Sequence, residues 1–327
     1  MSRSDSTIIK GVAILLMLFY HLFYKGNEPV SDIVDIGDMP LVYYFARIVN
    51  PVAFFMIISG YGTYVNRFKS SLKHTLLKLC HLYILFWLIC LIFIIISRFA
   101  LGNDTYPGSV MTIIRNVTGV LTSWNYEAWF LLPYALVALS ARSLIRLIDN
   151  RNPFAMYIIS FATSILCAWL TPRLQQPVFD AFPIAKIPLL YFNLLPAFIL
   201  GVYMAKYQII GKIQIGRGKC WGLLFIVLCA RALFPKIPCH DLFVATVIIL
   251  FLKAPRPKWI DNVLTELGHR STSMWLIHSW FCYYLFKDFI YSFNWPIAIF
   301  LVLLSVSWLS AVIIDYLNKN IQRIIFR

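Results

Sequence analysis

Long apolar runs separated by short polar segments dominate the chain. Most of these runs are long enough to cross a hydrocarbon core of about 30 Å as helices, at about 1.5 Å of rise per residue. They lie at 8–25, 41–65, 76–98, 124–147, 153–171, 188–206, 220–234, 240–253, 272–290 and 296–317. The seventh and eighth runs are short and only 234–240 separates them, so we expect a tight hairpin or an irregularly tilted pair there. The pattern predicts an all-α, polytopic transmembrane helical bundle of about ten helices.

Composition supports this prediction. Of the 327 residues, 60% are hydrophobic and only 13% are charged, whereas soluble domains carry about 25% charged residues. The longest polar segments, at 26–40, 99–123 and 172–187, are too short to fold alone. We therefore expect one transmembrane domain over 1–327 and no separate soluble domain.

The basic residues predict the orientation of the chain. With the N-terminus inside, twenty of the 29 lysines and arginines fall in cytoplasmic segments, and the alternation holds at every loop. An even number of spans with both termini cytoplasmic follows. The net charge of +15 is then explained by topology and by contact with anionic lipid, so we expect a lipid bilayer and no nucleic acid as partner. The seven cysteines are scattered without a CxxC motif, so we expect neither a disulfide framework nor a metal site.

Two ionisable residues share one face of the first apolar run. Lys10 and His21 are eleven residues apart, close to three helical turns, and are separated by about 16 Å along the axis. An ionisable group at the bilayer centre costs about 2.5–3.5 kcal/mol or more. His21 is either hydrogen-bonded to a neighbouring helix, placed at the outer interface, or a general base. The cation in phase with it favours a catalytic histidine.

Small residues follow in the second run, at Ser59, Gly60 and Gly62. A helix flank without bulk permits close helix packing, which is the commoner use, or admits a thin ligand. The next cytoplasmic turn is basic, and its charges either set topology or pair with the phosphates of an anionic cofactor. The basic residues of this turn are Arg67, Lys69, Lys73 and Lys78.

A carboxylate lies among aromatic residues near the outer end of the fourth run. Glu127 is flanked by Tyr126 and Trp129. Such a cluster suits sugar hydroxyls and ring faces, but an aromatic belt at the membrane interface produces the same pattern. Glu127 is therefore either interfacial or faces a polar cavity. In the ninth run Ser271 and Ser273 are candidate helix caps, and His278, taken alone, is typical of a structural histidine.

Taken in order, these segments resemble the acyltransferase-3 family of integral membrane acyltransferases over nearly the whole chain. The first helix of that family carries a basic residue, ten intervening residues and a histidine, matched here by Lys10 and His21, with lysine where arginine is commoner. Its FF..SG motif matches Phe54 to Gly60, and its basic turn matches Arg67 to Lys78. Its late G..S...YL.H motif matches Gly268 to His278, with Trp275 in place of tyrosine.

The resemblance implies transfer of an acyl group, usually acetyl from acetyl-CoA, to a hydroxyl of a cell-surface polysaccharide or its lipid-linked precursor. On that basis His21 is expected to be catalytic, and Glu127 is added as a second catalytic candidate because of its position among aromatic residues near the outer side. Acetyl-CoA is expected to contact Lys10, Ser59, Gly60, Arg67, Lys69, Lys73 and Lys78, and the glycan acceptor to contact Tyr126, Trp129 and His278. The compact, loop-poor build indicates a bacterial inner membrane.

Two other classes share several of these features. A transporter or flippase for a lipid-linked glycan has the same fold class and basic inner face, but would not turn over acetyl-CoA. Against it, the sequence has no symmetric pair of helices broken by Gly or Pro. A non-catalytic scaffold is the second alternative, and His21 with its in-phase cation argues against it.

Overall fold

The structure is a computed structural model that describes residues 1–26, 30–31, 34–36, 39–48, 50–69, 71–103, 105–234 and 237–326. The regular secondary structure of these residues is helical apart from one short antiparallel pairing of strands β1 (Asp35–Ile36) and β2 (Met39–Pro40). The α-helices are α1 Arg3–Phe23, α2 Leu41–Ile48, α3 Pro51–Val65, α4 Leu72–Ile95, α5 Val110–Thr118, α6 Leu131–Asp149, α7 Pro153–Arg173, α8 Lys186–Lys206, α9 Ile209–Lys212, α10 Arg217–Leu233, α11 His240–Lys253, α12 Lys258–Ser279, α13 Lys287–Tyr291 and α14 Pro296–Ile325. Shorter 3₁₀ turns lie at Tyr126–Phe130 and Pro183–Ala185, and π-helical turns at Ile96–Ala100, Gln175–Phe179 and Trp280–Tyr284.

Local sequence signals explain where several helices begin. At α1 the Ser2 hydroxyl accepts from the Asp5 amide at 3.0 Å while the Asp5 carboxylate accepts from the Ser2 amide at 2.7 Å, which is a complete capping box. Ser71 caps α4 by accepting from the His74 amide at 3.1 Å. These side chains satisfy amides that the first helical turn leaves without an intrahelical acceptor.

Seven helical segments of the described chain are long and apolar enough to cross a membrane. They are Arg3–Phe23, Leu41–Val65, Leu72–Ala100, Tyr126–Asp149, Pro153–Arg173, Pro183–Lys206 and Pro296–Ile325. These segments correspond to the first six predicted spans and to the tenth. They confirm the fold class, an all-α protein with the long apolar helices of a membrane bundle. The count of about ten spans and the cytoplasmic position of both termini stay predictions.

The remaining predicted runs differ in detail. α10 and α11 have 17 and 14 residues, less than the roughly 20 that a span requires. The predicted boundary at 272 was wrong for the ninth run, because α12 begins at Lys258 and has 22 residues. Hydropathy alone does not reveal the full length of this helix, because its first half contains charged residues. Ser271 and Ser273 consequently lie inside the helix and do not cap it.

Contacts divide the chain into two compact units. The first unit comprises Met1–Phe55 and Ile210–Asn320, and the second comprises Met56–Ile209 and Ile321–Arg327. In the first unit the most extensive packing is between α1 and α12, and α10 packs against α11. In the second unit α8 packs against both α6 and α7. One domain over residues 1–327 stays a prediction.

Glycines allow close helix contacts inside each unit. In the first unit, a Cβ on Gly11 would collide with the backbone of Leu264, and one on Gly268 with the backbone of Thr7. In the second unit, a Cβ on Gly60 would collide with the Phe198 carbonyl in α8. The backbones of α1 and α12, and of α3 and α8, therefore touch directly at points where any side chain would separate them.

Candidate functional site

The C-terminal ends of α1 and α12 lie together in the first unit. Thr7 and Gly11 of α1 contact α12 near 264–268. Ten residues further along each helix, about three turns, the rings of His21 and His278 are 4.9 Å apart between centroids. The two helices therefore run in the same direction, and their packing brings together two histidines that are 257 positions apart in the chain.

His278 is wholly buried, with 0% of its surface exposed. Its Nδ1 lies 2.7 Å from the main-chain carbonyl oxygen of Trp275. Because a carbonyl oxygen only accepts hydrogen bonds, Nδ1 carries the proton, and Nε2 carries the lone pair of the neutral ring. This buried Nε2 has no hydrogen-bond partner among the described residues.

Tyr283 holds the ring of His21. Its phenol donates to the main-chain carbonyl of His21, and the same phenol oxygen is 3.3 Å from His21 Nδ1. Since the only phenol proton goes to the carbonyl, His21 Nδ1 is the donor to the phenol oxygen. Lys25 places its Nζ 4.2 Å from the centre of the Tyr283 ring, a cation–π contact that covers one face of this ring.

The two imidazoles therefore have the same tautomer. In each ring Nδ1 donates a proton to a fixed oxygen, and Nε2 keeps the lone pair. Such a nitrogen acts as a general base or as a nucleophile toward a carbonyl carbon, because proton removal and bond formation both use that lone pair. A phenol and a main-chain carbonyl hold the rings in place, which lowers the cost of orienting them for reaction.

Sequence reasoning missed Tyr283. If α12 continued as a regular α-helix, residues 278 and 283 would point to different faces. Tyr283 would then be interpreted as one more aromatic residue at the membrane interface. The π-helical turn Trp280–Tyr284 accommodates five residues with i→i+5 bonding and changes that phase. The sequence carries no signal for this turn.

An ionic cluster joins α12 to α14 in the same unit, two turns before His278. Arg270 Nε lies 2.5 Å from the Glu266 carboxylate, and Arg270 Nη1 lies 3.1 Å from Asp315 of α14. Ser273 donates to the same Asp315 carboxylate. This pairing gives Glu266 and Arg270 charged partners, and it ties α12, which carries His278, to α14.

Lys10 lies on the same uninterrupted helix as His21, as the spacing predicted. At about 1.5 Å per residue the two are about 16 Å apart along the axis. Lys10 is partly buried and precedes Gly11, at the close contact with α12. Its role toward a phosphate stays a prediction.

The predicted small-residue flank lies in the second unit. Gly60 is used for close packing against α8, in agreement with the commoner of the two expected uses. Ser59 hydrogen-bonds Tyr134 at the start of α6. A Cβ on Gly62 would meet nothing within 4 Å, so space for a thin ligand lies at Gly62 and not at Gly60.

The basic turn joins α3 to α4 in the second unit. Arg67 donates to the Tyr64 carbonyl at 2.9 Å and stacks on the Tyr64 ring at 3.9 Å, which ties it to its own turn. Lys69, Lys73 and Lys78 are exposed. Lys69 belongs to the turn, whereas Lys73 and Lys78 lie in the first two turns of α4. Together the three lysines present exposed ammonium groups, as a binding surface for anions or anionic lipid requires.

Glu127 lies in the 3₁₀ turn Tyr126–Phe130 of the second unit and is partly buried. Tyr126 is 58% exposed, and Trp129 packs on Phe130 with centroids 6.0 Å apart. Asn116, which sequence reasoning missed, supports the preceding loop by accepting from the Trp124 amide at 2.9 Å. A buried asparagine has no distinctive sequence pattern, so only the fold identifies it.

Within the second unit, contacts connect the two predicted groups of residues. Phe130 contacts Tyr134 with ring centroids 5.3 Å apart, and Tyr134 in turn bonds Ser59. The predicted donor-binding serine is thus linked through two aromatic rings to the turn that carries Glu127.

Comparisons with known proteins agree with the motifs in the sequence. The family model described as an acyltransferase domain matches residues 4–316. Comparison with curated proteins and with solved structures found no match. Because the family model covers nearly the whole chain, the protein belongs to the acyltransferase-3 family and is a multi-pass membrane acyltransferase.

Proposed function

We propose that the protein transfers an acetyl group from cytoplasmic acetyl-CoA to a hydroxyl of a cell-surface polysaccharide or its lipid-linked precursor, in a bacterial inner membrane. The observation that carries this proposal is the histidine pair at the ends of α1 and α12. His21 is held by Tyr283 with the proton on Nδ1, so the lone pair of the neutral ring lies on Nε2. A transporter, in contrast, would not turn over acetyl-CoA.

His21 is the reacting group in this proposal. Its Nε2 either removes the proton of the acceptor hydroxyl, which then attacks the thioester, or takes the acetyl group itself before passing it on. In both routes the proton on Nδ1 stays bonded to the Tyr283 oxygen, so the ring keeps its orientation while Nε2 changes its bonding. The positive charge that develops on the ring is stabilised at Nδ1 by this hydrogen bond.

In this proposal, basic side chains bind the acyl donor, acetyl-CoA. CoA carries phosphates on a long, thin arm, and ammonium groups bind phosphate through charge-assisted hydrogen bonds. Lys10 is the candidate in the first unit, and the exposed lysines 69, 73 and 78 are the candidates in the second. Each is tested separately by removing its charge and measuring the KM for acetyl-CoA.

In this proposal, the turn at Tyr126–Phe130 binds the acceptor glycan. An exposed tyrosine and a partly exposed tryptophan offer ring faces for a sugar, and Glu127 offers a carboxylate to its hydroxyls. Glycan O-acetylation needs both recognition of the ring and a hydroxyl placed for attack. The identity of the sugar is decided by experiment.

The test is the full-length protein, purified in detergent, with acetyl-CoA labelled in the acetyl group. In His21→Ala and His21→Gln, the rate of free CoA release is expected to fall at least about 100-fold, because this is the usual contribution of a positioned base or nucleophile. His269→Asn, an exposed histidine of α12, is the matched control and should retain the wild-type rate. Wild-type rates in both His21 variants would refute the catalytic role.

The acceptor is tested in cells. NMR spectra of envelope polysaccharide from cells with and without the protein should differ by an O-acetyl signal. The signal should also be missing in cells that carry His21→Gln. An unchanged polysaccharide, together with normal acetyl-CoA turnover in detergent, would redirect the proposal to a lipid, peptide or small-molecule acceptor.

A further inference from the structure

His278 carries an unused lone pair in the centre of the site. Its Nε2 is buried and has no hydrogen-bond partner among the described residues, while its Nδ1 is fixed by the Trp275 carbonyl at 2.7 Å. A buried acceptor without a partner destabilises the fold, because it has lost its hydrogen bonds to water. A structural histidine would be expected to satisfy both nitrogens.

The missing partner must be a hydrogen-bond donor. With Nδ1 protonated, Nε2 only accepts, so the group that completes the site carries an O–H or N–H bond. The ring of His21 lies 4.9 Å away between centroids. A donor at Nε2 of His278 is therefore held close to whatever His21 carries.

We propose that His278 Nε2 binds the hydroxyl of the acceptor and removes its proton, while His21 carries the acetyl group. This inference rests on the proposed function and divides the chemistry between two histidines, one a nucleophile and one a base. It changes His278 from a substrate contact into a catalytic residue.

The acetyl transfer takes place in two steps. First, the His21 Nε2 lone pair attacks the thioester carbonyl carbon, the C–S bond breaks, and its electron pair leaves on the CoA sulfur. Second, His278 Nε2 takes the hydroxyl proton, the oxygen bonds to the acetyl carbon, and the N–C bond returns its pair to His21. The CoA thiolate takes up the proton of His278 directly or through solvent, so the products are an ester and the CoA thiol.

Three acceptors of different chemistry test whether His278 is the base and His21 is the nucleophile. Methanol and water need a base to remove a proton as they attack, whereas hydroxylamine attacks an acyl imidazole through a nitrogen lone pair without one. Each is supplied to the full-length protein in detergent with labelled acetyl-CoA. The products are methyl acetate, acetate and acetohydroxamate.

Two variants test whether His278 acts as a base or only supports the fold. His278→Asn keeps a donor for the Trp275 carbonyl and removes the Nε2 acceptor. His278→Gln keeps an acceptor that cannot take a proton. Both should lower transfer to methanol and water at least about 100-fold while leaving transfer to hydroxylamine within about threefold. In His278→Gln the loss should be in kcat and not in the KM for methanol.

Each outcome decides between the alternatives. Labelled acetyl retained on the His278 variants, released by hydroxylamine and absent from His21→Asn, supports the proposal. Parallel loss of all three products in His278→Asn, or unchanged methanol transfer, overturns it. If the wild type transfers acetyl to none of the three acceptors while His269→Asn behaves identically, the proposed function fails, and this inference fails with it.

Discussion

Adding one methyl group at Gly268 should uncouple the two histidines. Gly268 lies on α12 where it touches α1, and the Cβ of Gly268→Ala would lie 2.8 Å from the carbonyl carbon of Thr7 and 3.0 Å from its Cγ2. Ordinary contacts between carbon atoms are about 3.5–4.0 Å. The two backbones must therefore move apart by about 1 Å, since neither helix can rotate the obstacle away.

The magnitudes favour a loss of activity over a loss of folding. Overpacking costs about 1–3 kcal/mol, while alanine gains about 0.8–1 kcal/mol over glycine in helix propensity. The net destabilisation should be about 0–2 kcal/mol. A displacement of about 1 Å between reacting groups costs on the order of 100-fold in rate, so kcat should fall much more than the melting temperature.

The assay compares kcat for CoA release with thermal melting in detergent. Gly222→Ala is the matched control, because Gly222 is exposed on α10 of the same unit and a Cβ there meets nothing within 4 Å. The control should keep kcat and melt at the same temperature or slightly higher. If Gly268→Ala keeps the wild-type kcat, or if both variants lose activity equally, the idea that this contact sets the histidine geometry is refuted.

Three further perturbations test separate parts of the structure. Lys10→Ala should raise the KM for acetyl-CoA about tenfold, as expected for one lost charge-assisted contact, while Lys10→Arg stays within about threefold; equal losses would exclude a simple phosphate contact. Asp315→Asn keeps an acceptor for Ser273 but removes the ion pair with Arg270, so it should cost about 1–2 kcal/mol and lower the melting temperature, and an unchanged melt would contradict this. Gly60→Ala should destabilise the α3–α8 contact while Gly62→Ala does not, and equal melting of the two would show that the contact is not close.

Much of the architecture could be predicted because hydrophobic patterning acts locally. Among the described residues, seven of the apolar runs form helical segments of membrane-spanning length, and the spacing of Lys10 and His21 placed both on one helix. α12 was the main error in the helix boundaries. Its charges make it look like a loop, and only the tertiary structure shows that Arg270 pairs with Asp315 of α14 as well as with Glu266 of its own helix.

The candidate site was predicted only in part. His21 was identified because a histidine inside an apolar run is costly, and that cost is visible in the sequence. His278 was noted but interpreted as an acceptor contact, since one ring nitrogen gives no sign of its bonding partners. Tyr283 was missed because a π-helical turn changes its phase relative to His278.

The sequence by itself determined the helices, their apolar character, the family and the candidate histidine of α1, since each of these depends on residues close together in the chain. Only the tertiary structure decided that His21 and His278 meet, which of their nitrogens carry protons, and that one of those nitrogens lacks a partner among the described residues. The physical reason is distance along the chain. Glycine contacts between α1 and α12 bring residues 257 positions apart into one site, and the tautomers follow from carbonyl and phenol oxygens that only the folded chain supplies.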